Sequence, residues 1–182
     1  AIFLVLCLVI LTNQDRTRIL VIQSVTDIAK VQGINIQTDK NTGDISITDS
    51  ILFDLNKSIL KEDGKDFLKK FIPIYSHVLF EKLSPEQSKQ VSRIIVQGHT
   101  LLHPNSKYSP NMKLSLDRAF AVVSFIESMP NFNHKEEFLK KLTPVGRGYL
   151  DSKPYNRAED RKVVFTFQFS SELSTQDLRK IS

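Results

Sequence analysis

One stretch, residues 95–123 (IVQGHTLLHPNSKYSPNMKLSLDRAFAVV), most constrains what this chain can fold into. An apolar run ends at Gly98 and predicts a buried strand, since strands inside a sheet are nearly continuous in apolar residues. A polar loop follows His99 and Thr100. Ser115 is a preferred helix N-cap residue and is followed by helical periodicity, so we predict that a helix starts there.

This prediction places Arg118 in the first helical turn. A helix N-terminus already carries about +0.5 of a charge and commonly binds anions through its free N–H groups. An arginine there favours an anionic ligand opposite it, and we predict a binding site at this loop-to-helix junction. The alternative is that Arg118 lies in solvent or pairs with Asp117. A first-turn arginine contributes little to a core, so we expect Arg118→Ala to leave the fold intact.

The rest of the chain predicts an α/β fold. Strands alternate with helices, and the last strand, residues 162–169, has phenylalanines at every second position on one face. The order of hairpin, helix, strand, helix and strand indicates helices packed on one face of a mixed sheet. The predicted elements are a hairpin at 34–38 and 44–48, a helix at 62–80, a helix start at Ser84, a strand at 91–96, the helix from Ser115, a helix at 134–142, an edge or loop at 143–148, and the strand 162–169.

Residues 1–12 carry no charge. A membrane-spanning helix needs about 20 apolar residues, so we expect this segment to be part of a transmembrane helix whose front lies upstream. Two alternatives are a signal peptide or lipoprotein leader, although no cleavage site follows and Leu6 precedes Cys7, and a buried core helix.

Residues 13–32 lack Gly and Pro and are predicted to continue this helix as a stem, which Gly33 ends. Its apolar stripe, which could also be a dimer seam, consists of Ile19, Ile22, Val25 and Ala29. Arg16 and Arg18 come directly after the apolar run, and by the positive-inside rule they favour a cytoplasmic location for the rest of the chain.

No catalytic, metal-binding or nucleic-acid-binding pattern stands out. His99 and His103 are four residues apart, but Pro104 argues against a helix there and no cluster supplies further metal ligands. Cys7 is the only cysteine and lies in the apolar run, where a thiol is a poor nucleophile. The net charge is +5, but the basic residues are dispersed and Trp is absent. We therefore predict no enzyme activity, no cofactor, no metal and no nucleic-acid partner.

Five segments in order carry a resemblance to a known family. They are residues 52–60 (LFDLNKSIL), 98–100 (GHT), 111–122 (NMKLSLDRAFAV), 148–154 (GYLDSKP) and 160–163 (DRKV). They resemble the motifs of the OmpA-like, peptidoglycan-associated domain found in outer-membrane proteins and at the C-terminus of MotB-type stators. With an apolar helix running directly into the domain, the chain resembles MotB-type or ZorB-type stator subunits most.

The resemblance implies a β-α-β-α-β core and a site for the diaminopimelate of the peptidoglycan stem peptide. It implies that Arg118 pairs with the ligand carboxylate, that Thr100 and Asn111 supply hydrogen bonds, that Leu114 forms a wall, and that Arg161 approaches from the last strand. Two residues depart from the family pattern. Leu101 replaces the aspartate that holds the ligand's ammonium group, and Leu150 replaces the second glycine of the loop at 148–154.

The sequence thus predicts a non-enzymatic, peptidoglycan-binding protein in the bacterial inner membrane, with a single pass and its domain in the periplasm. The alternative is a degenerate OmpA-like domain that serves as a dimerisation or partner-binding scaffold. A homodimer and a MotA-like channel subunit are the implied protein partners. The predicted divisions are a truncated transmembrane segment, a helical stem, an OmpA-like domain and a C-terminal tail, at 1–12, 13–32, 33–170 and 171–182.

Overall fold

A computed structural model of the chain describes residues 2–153 and 157–170, with the side chains of residues 10–12 left aside. The predicted tail at 171–182 lies outside the described residues. The strands are Gln37–Asp39 (β1), Asp44–Thr48 (β2), Val91–Gly98 (β3), Leu142–Gly146 (β4) and Lys162–Phe169 (β5). The α-helices are Ile2–Val31 (α1), Asp49–Leu52 (α2), Glu62–His77 (α3), Pro85–Gln90 (α4), Tyr108–Ser128 (α5) and Lys135–Lys141 (α6).

The strands form one mixed sheet in the order β1-β2-β5-β3-β4. β1 and β2 are an antiparallel hairpin, β5 runs antiparallel to both β2 and β3, and β4 runs parallel to β3. The predicted hairpin is confirmed with a shorter first strand, and the segment predicted as an edge or loop is the edge strand β4. Helices packed on a mixed sheet confirm the predicted fold class.

The core lies between the sheet and its helices. The alternating residues of β5, Val163, Phe165, Phe167 and Phe169, are buried. Phe165 makes edge-on ring contacts with Phe71 and Tyr75 of α3, at centroid distances of 5.2 and 5.9 Å. Such pairs contribute about 0.5–1.5 kcal/mol each beyond the burial of their area, so β5 and α3 are tightly joined.

Helices α3, α4 and α6 follow the predictions closely, with one difference. α3 contains Pro73 and passes into a π-helical turn, Val78–Lys82, instead of ending at Phe80. Ser84 caps α4 as predicted, because its hydroxyl accepts from the Gln87 N–H and the Gln87 side chain accepts from the Ser84 N–H. α6 matches the helix predicted at 134–142 within one residue at each end.

α1 is one helix that ends before Gly33, which has a positive φ of 69° that glycine adopts without strain. It lies against α3, the π-helical turn and β1. Its buried stripe consists of Val21, Ile22, Val25 and Ala29. Ile19 was predicted to belong to this stripe, but it is 47% exposed because the packed face turns toward Val21 instead. The stripe packs within the chain and is not free to form a dimer seam.

The first turns of α1 do not pack in the core. The exposed fraction falls from 87% at Ile2 to 50% at Val9, which is against the alternative of a buried core helix. Among the described residues, no helix meets the length and hydropathy that a membrane crossing requires.

Candidate ligand-binding site

Arg118 lies in the third turn of α5, not in its first turn. α5 begins at Tyr108, seven residues before the predicted start at Ser115, and Pro110 lies in its first turn. Proline is tolerated there because the first N–H groups of a helix have no intrahelical partner. The polar residues before Ser115 are therefore helical, and the prediction that Arg118 is a cation at a helix N-terminus is wrong.

Ser115 joins α5 to the loop after β4 instead of capping the helix. Its hydroxyl donates to the Met112 carbonyl at 2.8 Å and accepts from the Gly148 N–H at 2.8 Å. β3 ends directly beneath this residue, and a Cβ at Gly98 would collide with the Ser115 carbonyl oxygen. This close approach brings the segment after β3 against the middle of α5.

Arg118 is almost fully buried, with 2% of its surface exposed. Its Nη1 lies 3.1 Å from Oδ1 of Asp49, its Nε donates to the Lys57 carbonyl at 2.9 Å, and its guanidinium lies over the Phe53 ring at 5.3 Å. Both alternatives from the sequence are also wrong, since Arg118 is not in solvent and Asp117 pairs with Lys113. Asp49 was missed because only the fold brings it to Arg118.

Burial and the neighbouring charges have opposite effects on the pKa values of Asp49 and Arg118. Burial raises the pKa of the Asp49 carboxyl, while the guanidinium groups of Arg118 and Arg161 act to lower it. Burial also lowers the pKa of Arg118, with Asp49 acting in the opposite direction. Two cations face one anion, so the cluster keeps a positive charge when all three groups are ionised.

A small cavity of about 50 Å³ opens beside this cluster. All five residues that the sequence singled out line it: Thr100, Asn111, Leu114, Arg118 and Arg161. The other lining residues are Leu101, which departs from the family pattern, His103, and two residues that the sequence did not propose for the site, Leu55 and Asn56. The polar turn after Phe53 was the signal that could have found Asn56, whose positive φ of 57° marks a tight turn.

Two hydrogen-bonding atoms at this cavity are buried without a partner among the described residues: Oγ1 of Thr100 and Nε of Arg161. Thr100 is only 4% exposed, and its backbone N–H is held by the Gly148 carbonyl at 2.7 Å. Asn111 donates its side-chain amide to the Lys107 carbonyl at 2.8 Å. Buried polar atoms are normally hydrogen-bonded, so unpartnered ones at a cavity indicate a place for a ligand or water.

His99 faces the other side of the sheet. Its Nδ1 lies 3.5 Å from Asp151 and its Nε2 lies 3.2 Å from the side-chain oxygen of Gln97, as expected for a hydrogen-bonding loop histidine. Burial lowers the pKa of His99 to about 4, although Asp151 acts to raise it. No group of His, Cys, Asp or Glu within the described ranges has the geometry of a metal site.

Comparisons with known proteins point to one kind of protein. No family model matches the chain. It is 27% identical to the Zorya protein ZorB of Escherichia coli over 168 residues, which make up 83% of this chain and 66% of ZorB. The chain therefore spans slightly less than two thirds of that relative.

Two solved structures show the same fold. A MotB-like protein from Desulfovibrio vulgaris matches with a TM-score of 0.55 and 18% identity, over 87% of this chain and 93% of that one. The cell wall anchor of the T6SS from Pseudomonas aeruginosa matches with a TM-score of 0.51 and 18% identity, over 84% and 99%. With the sheet order, these matches show that the chain has the OmpA-like fold, and its sequence is similar to that of ZorB over most of its length.

Proposed function

We propose that this chain is the cell-wall-binding part of a membrane-anchored, non-enzymatic stator subunit, and that the cavity beside Arg118 binds a peptidoglycan stem peptide. The observation that carries the proposal is that Thr100, Asn111, Leu114, Arg118 and Arg161 converge on one cavity. The likeness to a cell wall anchor and to ZorB supports it.

The chemistry of the cavity suits a carboxylate. Arg161 and Thr100 each offer a buried donor with no partner in the described structure. The charge of Arg118 is balanced by Asp49, so Arg161 is the cation left to pair with a ligand. Hydrogen bonds to charged groups contribute about 1.5–3 kcal/mol, which is roughly one to two orders of magnitude in affinity.

Co-sedimentation of the full chain with purified peptidoglycan tests this function. Arg161→Gln removes the free cation, and Thr100→Val removes the hydroxyl at nearly constant shape. Arg157→Gln is the matched control, because Arg157 is an exposed arginine on the same loop that pairs with Glu159. We expect Arg161→Gln to weaken binding about 10- to 100-fold and the control to match wild type. Wild-type binding by Arg161→Gln and Thr100→Val would rule out this cavity as the wall site.

We further propose that the exposed apolar side chains at the start of α1 lie in the inner membrane as part of a single pass. The large apolar residues between Ile2 and Val9 are at least half exposed. Such a surface is unfavourable in water. The domain then lies in the periplasm, where peptidoglycan is found. A homodimer and a MotA-like channel subunit are the protein partners proposed for this arrangement.

A second candidate function is a scaffold that binds a partner and not the wall. Two observations favour it: Leu101 is apolar and lines the cavity, and Arg118 already has a partner in Asp49. If the full chain does not sediment with peptidoglycan but is dimeric by analytical ultracentrifugation, this candidate replaces the first.

A further inference from the structure

The charged groups around the cavity carry an excess of positive charge. Two guanidinium groups, those of Arg118 and Arg161, line it, and no carboxylate is among its lining residues in the described structure. Asp49, which pairs with Arg118, is 3% exposed and is not among the residues that line the cavity. A ligand in the cavity therefore meets cations and no anion.

The hydrogen-bonding atoms that remain free suit an anion as well. The Nε of Arg161 can only donate, and the hydroxyl of Thr100 can donate to an oxygen. Beside them, the wall contains Leu101, which is 7% exposed, and Leu55, which is 67% exposed and so lies at the opening. An ammonium group next to these leucines would lose water without gaining an acceptor with charge.

The size of the cavity limits what enters. Its volume is about 50 Å³, a few times the roughly 10–15 Å³ that a single water molecule requires on this measure. One carboxylate group fits, and the rest of the ligand must lie at the opening near Leu55. Whatever substituent is bonded next to the carboxylate then faces leucine side chains and a nearby arginine.

We propose that the cavity recognises a single carboxylate whose neighbouring amine is acylated, and that it discriminates against the free zwitterion. An acylated amine is uncharged, so it meets the leucines without losing a hydration shell and is not repelled by Arg161. This is the state of a stem-peptide amine that has been joined to a second peptide through an amide bond. The inference rests on the proposed wall-binding function and names the chemical form of the ligand.

Three preparations of the same purified peptidoglycan test the inference with the full chain. One is untreated, one has its free amines acetylated with acetic anhydride, and one has its carboxylates amidated with a carbodiimide and methylamine. At about 0.15 M salt, exposed charges more than roughly 8 Å apart are largely screened, so mainly charges at the cavity itself contribute. Under these conditions we expect at least threefold tighter binding to the acetylated form than to the untreated form. We expect at least tenfold weaker binding to the amidated form.

Variants separate the cavity from general charge attraction. Leu101→Asp supplies the missing carboxylate and should reverse the preference toward untreated peptidoglycan. Ile59→Asp changes the net charge by the same amount at a side chain that is 78% exposed and does not line the cavity, so it should keep the wild-type preference. Circular dichroism of each variant checks folding, and the wild-type comparison does not depend on any variant.

The outcomes are distinct. If wild type binds untreated peptidoglycan as tightly as the acetylated form or tighter, and amidation still abolishes binding, the inference is overturned while the proposed function stands. If wild type binds none of the three preparations, the proposed function fails and the inference fails with it. If amidation has no effect, the cavity does not recognise a carboxylate and the inference is overturned.

Discussion

At the scale of single residues, the role of Arg118 follows from its buried position. A guanidinium that is 2% exposed, with a carboxylate 3.1 Å away, is part of the folded core as much as of a binding site. Removing one member of a buried ion pair leaves the other charge without compensation, which typically costs about 3–5 kcal/mol. The sequence predicted that Arg118→Ala leaves the fold intact. The structure instead predicts that removing this guanidinium destabilises the fold.

We predict that Arg118→Met lowers the free energy of unfolding by about 3–5 kcal/mol in urea titrations, because Asp49 is then buried without its partner. The double variant Arg118→Met with Asp49→Asn should recover part of this loss. Arg157→Met, at an exposed arginine, should stay within about 0.5 kcal/mol of wild type. Equal stability of Arg118→Met and wild type would show that the buried pair does not stabilise the fold.

His99 makes the stability of the fold depend on pH, and the direction follows from its lowered pKa. The groups that face it are Asp151, Lys162, Arg147 and Asp44. Its pKa is about 4 in the folded chain against 6.5 for the free side chain. Between these values the unfolded chain binds a proton that the folded chain does not, so stability is lost as the pH falls from 6.5 to 4.

We predict that His99→Gln flattens the part of the stability–pH curve that lies between these two pKa values. The wild-type loss across the window should exceed that of the variant by up to about 3 kcal/mol, since one pKa unit corresponds to about 1.4 kcal/mol. Urea titrations at a series of pH values measure it. Parallel curves for both proteins would mean that His99 is protonated in the folded chain near its ordinary pKa.

At the scale of elements, the long alternating and periodic segments were predictable and their ends were not. The burial of β5 follows from the alternation of its apolar residues, and the burial of β3 follows from its apolar run. Both patterns are local in the sequence, so both strands could be predicted. The start of α5 was mispredicted because Ser115 has the chemistry of an N-cap, and its actual contacts, with Met112 and Gly148, depend on the packed loop. Asp49 could not be assigned, since nothing near it in sequence indicates a buried arginine.

The stem helix offers a matched pair of isoleucines. Ile22 is fully buried against the domain, whereas Ile19, one turn earlier on the same helix, is 47% exposed. We predict that Ile22→Ala lowers the free energy of unfolding by about 2–5 kcal/mol, while Ile19→Ala changes it by at most about 0.5 kcal/mol. Thermal and urea unfolding of the two variants measure this difference. Similar small effects at both positions would mean that the stem is not packed on the domain in solution.

At the scale of the whole molecule, the proposed membrane anchoring meets one conflict, which concerns the side of the membrane on which the domain would lie. Arg16 and Arg18 favour the cytoplasm by the positive-inside rule. Arg18, however, lies 4.9 Å from the Phe169 ring and 3.6 Å from Asp15, and its side chain is only 15% exposed. Part of the charge that opposes a periplasmic domain is therefore used in packing the stem on β5.

We predict that a reporter fused after Ser182, active only in the periplasm, is active in cells that carry the full-length protein. The wall ligand is found in that compartment, so the proposed function requires this orientation. A second fusion at the same position, with a reporter active only in the cytoplasm, serves as the control. Activity of the cytoplasmic reporter alone would contradict the cell-wall proposal.

The central claim is that the cavity beside Arg118 binds the stem peptide. It is tested most directly by NMR titration of the ¹⁵N-labelled full chain with a soluble stem peptide released from peptidoglycan, in its free and its amine-acetylated form. We predict that the largest shifts fall on the amides of Thr100, Leu101 and Asn111 and on the Nε–H signals of Arg118 and Arg161. Shifts confined to the opposite face of the sheet around His99, or no shifts at saturating peptide, would contradict the account.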